Sequence, residues 1–277
     1  MKRIVTIQDI SCVGKCSLTV ALPIISAMGI ETSVIPTAVL SAHTAFDSFT
    51  FHDLTDEIPK IQENLLKNGI SFDAIYTGYL GSYKQLDIVI DFIDKNKKDD
   101  TLIFVDPVMA DNGELYSGFD IDFARSMRNL CSKADIITPN LTEASYLLDV
   151  PYVGDDYDDK YIKNILLKLC ETGAKKAILT GVSYTKGKLG AVSYDSENDR
   201  FYEYFNKHIP VAYHGTGDIF ASSCLGGIMN EISLDNALSL SVDFVLDCIE
   251  KTNCDPDHRW YGVNFEKALP MLIERIK

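Results

Sequence analysis

The sequence predicts an α/β fold in which a central, mostly parallel sheet carries helices on both faces. Short apolar segments alternate with amphipathic segments along most of the chain, which is typical of βαβ units. Several apolar segments, such as residues 102–105, are apolar at every position, as expected for strands covered by helices on both faces. A polar turn between two aromatic-rich segments later in the chain predicts an antiparallel hairpin at one sheet edge.

Six strands of the parallel sheet are predicted from short apolar runs. In chain order they lie at residues 3–8, 32–40, 74–77, 102–105, 136–138 and 177–180. The edge hairpin pairs residues 190–194 with residues 201–205 around the polar turn 195–199.

The segments between the strands repeat apolar residues at helical spacing, as Ile58 and Ile61 do, and we expect these faces to pack on the sheet. The last third of the chain is predicted to be helical, at about residues 217–229 and 234–249. A final helix should start near Asn264, because asparagine is a good N-cap residue.

Composition bounds the class of protein. A chain of 277 residues with 46% hydrophobic side chains can bury a substantial core, and we expect one domain over residues 1–277. The formal net charge of -14, without a long run of Lys or Arg, argues against nucleic-acid and anionic-membrane partners. An anionic ligand must therefore be held by backbone amides, a metal ion or single basic side chains.

The expected location is the cytoplasm. The apolar stretch at residues 4–7 is interrupted by Gln8 and Asp9, well short of a signal-peptide core. No apolar run approaches the ~18 residues of a transmembrane helix. The seven cysteines, an odd number, fit reduced thiols.

Polar residues directly follow each predicted strand of the parallel sheet. These polar segments are residues 8–11, 41–44, 78–79, 106–108, 139–143 and 181–183. Ligands of parallel α/β sheets sit beyond the carboxyl ends of the strands, so we place the functional site at this edge.

The strongest local signal is the glycine-rich turn at residues 214–220, which precedes an apolar helix. Glycines let the backbone approach an anion, and the amides and dipole of a helix N-terminus stabilise the charge that builds during phosphoryl transfer. Asp218 could orient a substrate hydroxyl and accept its proton. Taken alone, a simple turn with Asp218 near the helix N-cap explains the pattern equally well. No Walker-type GxxxxGK[ST] loop is present, and Gly14-Lys15 with Ser17 nearby is too incomplete to count as one.

Oxygen ligands suited to Mg-ATP follow two further strands. Asp106 and Asp111 follow one strand, and Asn140 and Glu143 follow the next. Magnesium prefers a few carboxylates with waters and phosphate oxygens. For Asn140 and Glu143 the alternative is a capping box, and the two roles need not exclude each other. For Asp106 before Pro107 the alternative is strand termination.

Together these motifs resemble, essentially from end to end, the ribokinase superfamily and most closely its pyridoxal (pyridoxine, pyridoxamine) kinases. The matching residues are Ile7-Gln8, Ser41-Ala42-His43-Thr44, Thr77-Gly78-Tyr79, Asp106-Pro107-Val108 with Asp111, Thr138-Pro139-Asn140 with Glu143, and Gly215-Thr216-Gly217-Asp218. The resemblance implies a ribokinase-like three-layer fold, a homodimer, and ATP-dependent phosphorylation of the 5'-hydroxymethyl group of a B6 vitamer in vitamin salvage.

Site residues carried over from the resemblance fall into two groups. Asp218 would be the base and Gly215, Thr216 and Gly217 the anion hole, and the substrate would meet Asp9, Ser11, His43, Thr44 and Tyr79. For His43 the alternative is a buried imidazole that only braces the loop, and for Tyr79 it is core packing.

The nucleotide group surrounds the triphosphate. ATP would meet Asp106, Asn140, Thr180, Ser183 and Thr216, Mg²⁺ would meet Asp111 and Glu143 through water, and Thr138 with Thr180 would hold K⁺ or Na⁺. The alternative for Thr138 is a strand-end hydroxyl that bonds local backbone.

One position departs from the family pattern. The family usually has Ser after Ile-Gln, where this chain has Asp9. An aspartate could pair with a protonated ring nitrogen or amine, which predicts tolerance for pyridoxamine. The polar residues 112–116 contain a glycine and could form a flap over the substrate.

Four other functions compete with a B6 kinase. Hydroxymethylpyrimidine kinase shares the fold, but His43-Thr44 and the Asp-bearing glycine loop favour pyridoxal kinase. A sugar kinase would usually insert a longer lid after the first helix. A non-catalytic vitamer-binding protein has no need of Asp218, and a nicotinamide-dependent oxidoreductase would carry GxGxxG after the first strand.

Overall fold

The computed structural model describes residues 1–276 and confirms the predicted α/β architecture. Its strands are β1 (Arg3–Ser11), β2 (Glu31–Leu40), β3 (Phe51–Asp53), β4 (Ala74–Thr77), β5 (Leu102–Val105), β6 (Ala110–Asp111), β7 (Glu114–Leu115), β8 (Ile136–Ile137), β9 (Lys176–Val182), β10 (Lys188–Asp195) and β11 (Arg200–Lys207). Its α-helices are α1 (Leu18–Ala27), α2 (Ile58–Lys67), α3 (Tyr83–Asn96), α4 (Ile121–Cys131), α5 (Leu141–Leu148), α6 (Asp159–Glu171), α7 (Thr216–Met229), α8 (Leu234–Asn253) and α9 (Leu269–Arg275). Within residues 1–276, none of these helices is long and apolar enough to cross a membrane.

The main sheet has nine strands in the order β11-β10-β9-β8-β5-β4-β1-β2-β3. The six strands from β9 to β2 in this order are parallel to one another, whereas β10 and β11 form the antiparallel edge hairpin. At the other edge, β3 pairs antiparallel with β2 and was not predicted. With three residues and no buried side chain, β3 carries little apolar pattern to reveal it.

Two apolar cores lie on opposite faces of the sheet. Because side chains alternate along a strand, Ile75 of β4 joins the core that α2 to α6 cover, while Tyr76 joins the core beneath α1, α7, α8 and α9. Phe104 of β5 meets the Tyr76 ring edge to face, with centroids 5.5 Å apart. The result is the three-layer arrangement of helices, sheet and helices that the sequence predicted.

Several helices begin at a side chain that caps them. The caps of α3, α4, α5 and α6 are Ser82, Asp120, Asn140 and Asp158, and each accepts a hydrogen bond from the backbone N–H three residues on. Such a cap contributes about 0.5–2 kcal/mol. These helices therefore start at positions that the local sequence specifies.

The last helical segment begins near Asn264 as predicted, but Asn264 does not cap it. A short 3-10 helix, Phe265–Lys267, precedes α9, and no side-chain cap is made. The Asn264 Oδ1 atom instead accepts from Lys15 Nζ at 3.1 Å, and its Nδ2 donates to Asp255 at 2.9 Å. Long-range partners have taken the side chain that the sequence assigned to a local role.

The polar stretch at residues 112–116 lies in and after a tight hairpin. Asn112 and Gly113 join β6 to β7 with φ values of 51° and 84°, the positive pair typical of a type I′ turn. The Gly113 N–H donates to Thr142 Oγ1 at 3.0 Å, and Tyr146 Oη donates to the Gly113 carbonyl at 3.2 Å. The hairpin tip is therefore anchored to α5.

Gly190 allows β10 to bend where its register with β9 shifts. A Cβ atom at this position would lie 1.9 Å from the Tyr204 carbonyl oxygen of β11. We expect Gly190→Ala to lower the free energy of unfolding by about 1–3 kcal/mol, because backbone atoms must move. Urea denaturation measures this change.

Gly227→Ala is the matched control for Gly190→Ala. In α7, a Cβ at Gly227 would meet its nearest neighbours at 3.4 Å, an ordinary contact. Alanine there should be neutral or stabilising by up to about 1 kcal/mol, since it is the better helix former. Equal urea midpoints for the two variants would contradict the steric explanation of Gly190.

Candidate active site

The carboxyl ends of the parallel strands meet at one edge, and polar side chains from different strands collect there. Asp9 lies near the carboxyl end of β1, Asp106 follows β5, and Thr138 follows β8. The amino end of α7 lies at the same edge. Gly215 packs against Lys15, and Asp218 lies near Ser17, two residues that come just after β1 in the chain. The predicted position of the site is consistent with this geometry.

The glycine-rich turn becomes the first turn of α7. Gly215 has a φ of 82°, and its carbonyl accepts the first helical hydrogen bond, from the N–H of Ile219 at 2.9 Å. A Cβ on Gly215 would lie 2.1 Å from the Lys15 carbonyl oxygen, so no other residue fits. The N–H groups of the first turn have no helical acceptor and can bind an anion.

Asp218 sits in that first turn with properties suited to a base. The residue keeps partial contact with solvent, yet protein atoms surround its carboxylate on most sides. This burial raises its pKa to about 7, the Asp9 charge adds to the rise, and the nearby backbone N–H of Ser17 opposes it. A carboxylate with a pKa near neutrality can accept a proton effectively at physiological pH.

Residues 13–17, which we call the clamp loop, approach both Gly215 and Asp218. Lys15 and Ser17 have φ values of 50° and 49°, a region that costs non-glycine residues about 1–3 kcal/mol each. Sequence reasoning set Gly14-Lys15 and Ser17 aside as an incomplete Walker motif, because a contribution from the Ser17 backbone leaves no side-chain signal in the sequence.

Asp9 lies beside Asp218 and is only 4% exposed. Its carboxylate accepts a hydrogen bond from Ser11 Oγ at 3.0 Å, and the Ser17 hydroxyl lies beside it. Burial raises the Asp9 pKa, and these two hydroxyl groups oppose the rise. Burial and the Asp9 charge also raise the pKa of Tyr79.

His43 has both ring nitrogens engaged by backbone groups. Its Nδ1 accepts from the Ala45 N–H at 3.1 Å, so Nε2 carries the proton and donates to the Tyr261 carbonyl at 3.1 Å. This arrangement favours the alternative in which His43 braces the loop. The neighbouring Thr44 is exposed to solvent.

Aromatic rings surround His43 at the rim of the site. The His43 ring lies 4.9 Å from Phe46 and 4.7 Å from His214, measured between centroids. Trp260, the one tryptophan of the chain, lies 4.7 Å from Phe46 and is 58% exposed. Residues from three distant segments thus form an apolar wall on this side.

On the other side of the site, Asn140 and Glu143 form the capping box of α5. The Glu143 carboxylate accepts from the N–H groups of Asn140 at 2.9 Å and Met109 at 3.2 Å. Asn140 Oδ1 accepts from the Glu143 N–H, and its Nδ2 donates to the Ala110 carbonyl, both at 2.9 Å. The capping alternative is therefore confirmed for this pair.

Two buried carboxylates lie close together here. Burial, with the charges of Glu143 and Asp218, raises the pKa of Asp106 well above its usual range. Burial also raises the pKa of Glu143 to about 8. Beside Asp106, the buried Thr138 Oγ1 has no hydrogen-bond partner within residues 1–276. A bound cation would stabilise the charged form of the two buried carboxylates and would give the Thr138 hydroxyl a partner. This set of donor atoms therefore fits a metal ion.

This donor set is sparse. Within the described part of the chain, no group of three or more His, Cys, Asp or Glu side chains forms a metal cage. Magnesium bound to a nucleotide needs only one or two carboxylates besides waters and phosphate oxygens. Asp106 and Glu143 can supply these.

Three further residues were predicted on the nucleotide side, Asp111, Thr180 and Ser183. Asp111 is exposed, and its carboxylate accepts from the Asn112 N–H at 2.9 Å. Thr180 forms a backbone bridge with Asn140, and the Ser183 N–H donates to Tyr157 Oη at 2.9 Å.

Comparison with known proteins places the chain in a family. Residues 22–264 match the model of the phosphomethylpyrimidine kinase family. A crystal structure of a candidate phosphomethylpyrimidine kinase from Bacteroides thetaiotaomicron is 43% identical, with a TM-score of 0.95 over 98% of this chain and 93% of that one. A second crystal form of that protein, with pyridoxal, has a TM-score of 0.93.

Pyridoxal kinases are also similar to the chain. The enzyme of Dictyostelium discoideum is 28% identical over 99% of this chain and 90% of its own length. The structure of pyridoxal kinase from Lactobacillus plantarum is 29% identical, with a TM-score of 0.90 over 99% of this chain and 97% of that one. The chain belongs to the phosphomethylpyrimidine kinase family and is a kinase of ribokinase-like fold.

Proposed function

We propose that this kinase transfers the γ-phosphoryl group of Mg-ATP to the 5'-hydroxymethyl group of a vitamin B6 vitamer. The observation that supports this best is the juxtaposition at the start of α7. The amides that follow Gly215 can bind an anion, and Asp218, with a pKa raised to about 7, lies in the same turn. Phosphoryl transfer to a hydroxyl needs these two elements side by side.

In the proposed reaction, Asp218 orients the substrate hydroxyl and accepts its proton. The hydroxyl oxygen forms a bond to the γ-phosphorus, while the bond from that phosphorus to the β–γ bridging oxygen breaks and ADP leaves. Charge on the transferred group is stabilised by the amides of Thr216 and Gly217 and by the dipole of α7. No basic cluster is needed for this step.

The nucleotide would lie over the strand ends on the side of Asp106. Asp106 and Glu143, with Asp111 acting through water, would hold Mg²⁺, which neutralises phosphate charge when it is bound. Asn140, Thr180 and Ser183 would line the nucleotide. The orphaned hydroxyl of Thr138 suits K⁺ or Na⁺.

A B6 vitamer is the acceptor that the comparisons favour. Relatives named pyridoxal kinase match nearly the whole chain, and the Bacteroides protein has been crystallised with pyridoxal. The buried Asp9 and the partly buried Tyr79 offer polar contacts for a substituted pyridine ring. His43 would support this side through its two backbone hydrogen bonds.

Hydroxymethylpyrimidine kinase is the second candidate. The name of the matching family model favours it, and a pyrimidine with a hydroxymethyl group presents the same reacting atom to Asp218. The two activities differ in the ring that the residues around Asp9 would recognise, a pyridine in one case and a pyrimidine in the other.

The first experiment measures ADP release from Mg-ATP with pyridoxal, pyridoxine, pyridoxamine, hydroxymethylpyrimidine and ribose in turn. We expect turnover of the B6 vitamers, and we expect Asp218→Asn to lower kcat about 100-fold or more, because a general base is lost. Asp235→Asn is the matched control, since Asp235 occupies the first turn of α8. Activity on the pyrimidine alone would move the assignment to the second candidate, and turnover of no acceptor would contradict a kinase of this class.

Asp218→Asn should also stabilise the protein at alkaline pH. A carboxyl whose pKa is raised on folding destabilises the native state once the unfolded chain ionises, from about pH 4 upward, and the penalty saturates above pH 7. Because Asp218 keeps partial contact with solvent, we expect a gain of about 1–2 kcal/mol at pH 8 and none near pH 3. Urea unfolding across this range measures it, and a gain independent of pH would contradict the raised pKa.

Asp9 should determine the response to pyridoxamine. Its buried carboxylate can accept a charge-assisted hydrogen bond from the protonated amine, so Asp9→Ser should lower kcat/KM for pyridoxamine about tenfold relative to pyridoxal. Ser11→Ala is the control, because it removes a hydrogen bond to Asp9 and leaves the charge. The proposed role of Asp9 is wrong if Asp9→Ser and Asp9→Ala leave the ranking of the three vitamers by kcat/KM unchanged.

A further inference from the structure

The clamp loop connects the two parts of the proposed catalytic machinery to the C-terminal part of the chain. We propose that Lys15 is a positioning residue for the phosphoryl transfer, which fixes this loop so that the Ser17 N–H reaches Asp218. The inference rests on the proposed role of Asp218 as base. Lys15 itself touches neither substrate in this scheme.

On its inner side, the clamp loop contacts the first turn of α7 at two points. The Lys15 carbonyl oxygen occupies the space that a Cβ on Gly215 would take, 2.1 Å away. Two residues later, the Ser17 N–H lies beside the Asp218 carboxylate and the Ser17 hydroxyl lies beside Asp9, and each lowers the pKa of the carboxyl group next to it. A shift of this loop therefore moves the anion-binding turn and the base together.

On its outer side, the loop is held by the Lys15 side chain. Lys15 Nζ donates to Asn264 Oδ1 at 3.1 Å and to Glu266 Oε2 at 3.0 Å, and the side chain is 20% exposed. Gly262 completes the contact, because a Cβ there would lie 2.7 Å from Lys15 Cβ. Residues 249 positions apart in sequence are thus joined directly behind the site.

The anchor for Lys15 is itself rigid. The Asn264 N–H donates to the buried Thr252 Oγ1 at 2.7 Å, and its Nδ2 donates to Asp255 at 2.9 Å. These bonds attach Asn264 to the last turn of α8 and to the residues directly after it. The Lys15 side chain therefore links the clamp loop to a long helix of the core.

Backbone strain makes this link necessary. Lys15 and Ser17 hold positive φ values that non-glycine residues rarely adopt, and such conformations persist only where surrounding contacts impose them. Without the ammonium group, the loop can relax and carry the Ser17 N–H away from Asp218. Small displacements of a catalytic group lower the rate of the chemical step more than they affect substrate binding.

The experiment compares Lys15→Met, Lys15→Arg and Asp218→Asn with the wild type in the Mg-ATP assay with pyridoxal. We expect Lys15→Met to lower kcat about tenfold and to change KM for ATP and for pyridoxal less than about twofold. Lys15→Arg, which retains a donor for Asn264 and Glu266, should restore kcat to within about twofold of the wild type.

Lys133→Met is the matched control. Lys133 also joins two elements through a carboxylate, Asp94, at 2.9 Å, but it lies on α4's side of the sheet. Its loss should leave kcat unchanged, and thermal unfolding of all variants confirms that each is folded at the assay temperature.

The outcomes separate the inference from the proposed function. If Asp218→Asn abolishes turnover while Lys15→Met matches Lys133→Met, the positioning role is overturned and the proposed function stands. A rise in both KM values with kcat unchanged, or a loss in Lys15→Met that Lys15→Arg does not restore, also overturns it. If Asp218→Asn keeps full activity, the proposed base is wrong and the inference falls with it.

Discussion

A parallel sheet covered by helices on both faces imposes one constraint on the whole molecule. Its strands can only present their carboxyl ends at a common edge, and each strand must exchange its apolar sequence for polar residues at that edge. Asp9, Asp106 and Thr138 come from strands that are distant in sequence, yet they meet for this reason. The amino end of α7 closes the same edge and brings its dipole and free amides. The site is therefore a consequence of how the chain is layered.

The electrostatics of this edge are unusual for a protein that handles a polyanion. Its buried side chains are acidic, and burial raises the pKa values of Asp106, Glu143 and Asp218. In the proposed reaction, a cation would neutralise the charge between these carboxylates and the nucleotide, and the backbone amides of α7 would stabilise the transferred group. Binding the nucleotide through a cation and backbone amides suits a chain with a net charge of -14, because ATP without its metal would be repelled.

Sequence reasoning succeeded where a local pattern determines structure. The strands β4 and β5 were predicted at their observed bounds, because each is a short, mainly apolar run of four residues between polar neighbours. Sequence reasoning failed where contacts with residues distant in the chain determine the role of a side chain. Asn264 was expected to cap a helix, but Lys15 and Asp255 hold its side chain. Ser17 was set aside with an incomplete phosphate-loop motif, because its contribution is a backbone amide. Residues 112–116 lie in and after the β6–β7 hairpin, and their role as a flap stays a prediction.

The aromatic wall at the rim gives the protein a built-in optical reporter. Trp260 is the one tryptophan in the sequence, and its ring contacts Phe46 and lies 5.9 Å from that of His43. The same segment carries Tyr261, whose carbonyl holds His43, and Gly262, which packs on Lys15. Intrinsic emission excited at the red edge of protein absorbance therefore comes from a single place. The wavelength of that emission therefore reports on how the segment around residue 260 packs against the clamp loop.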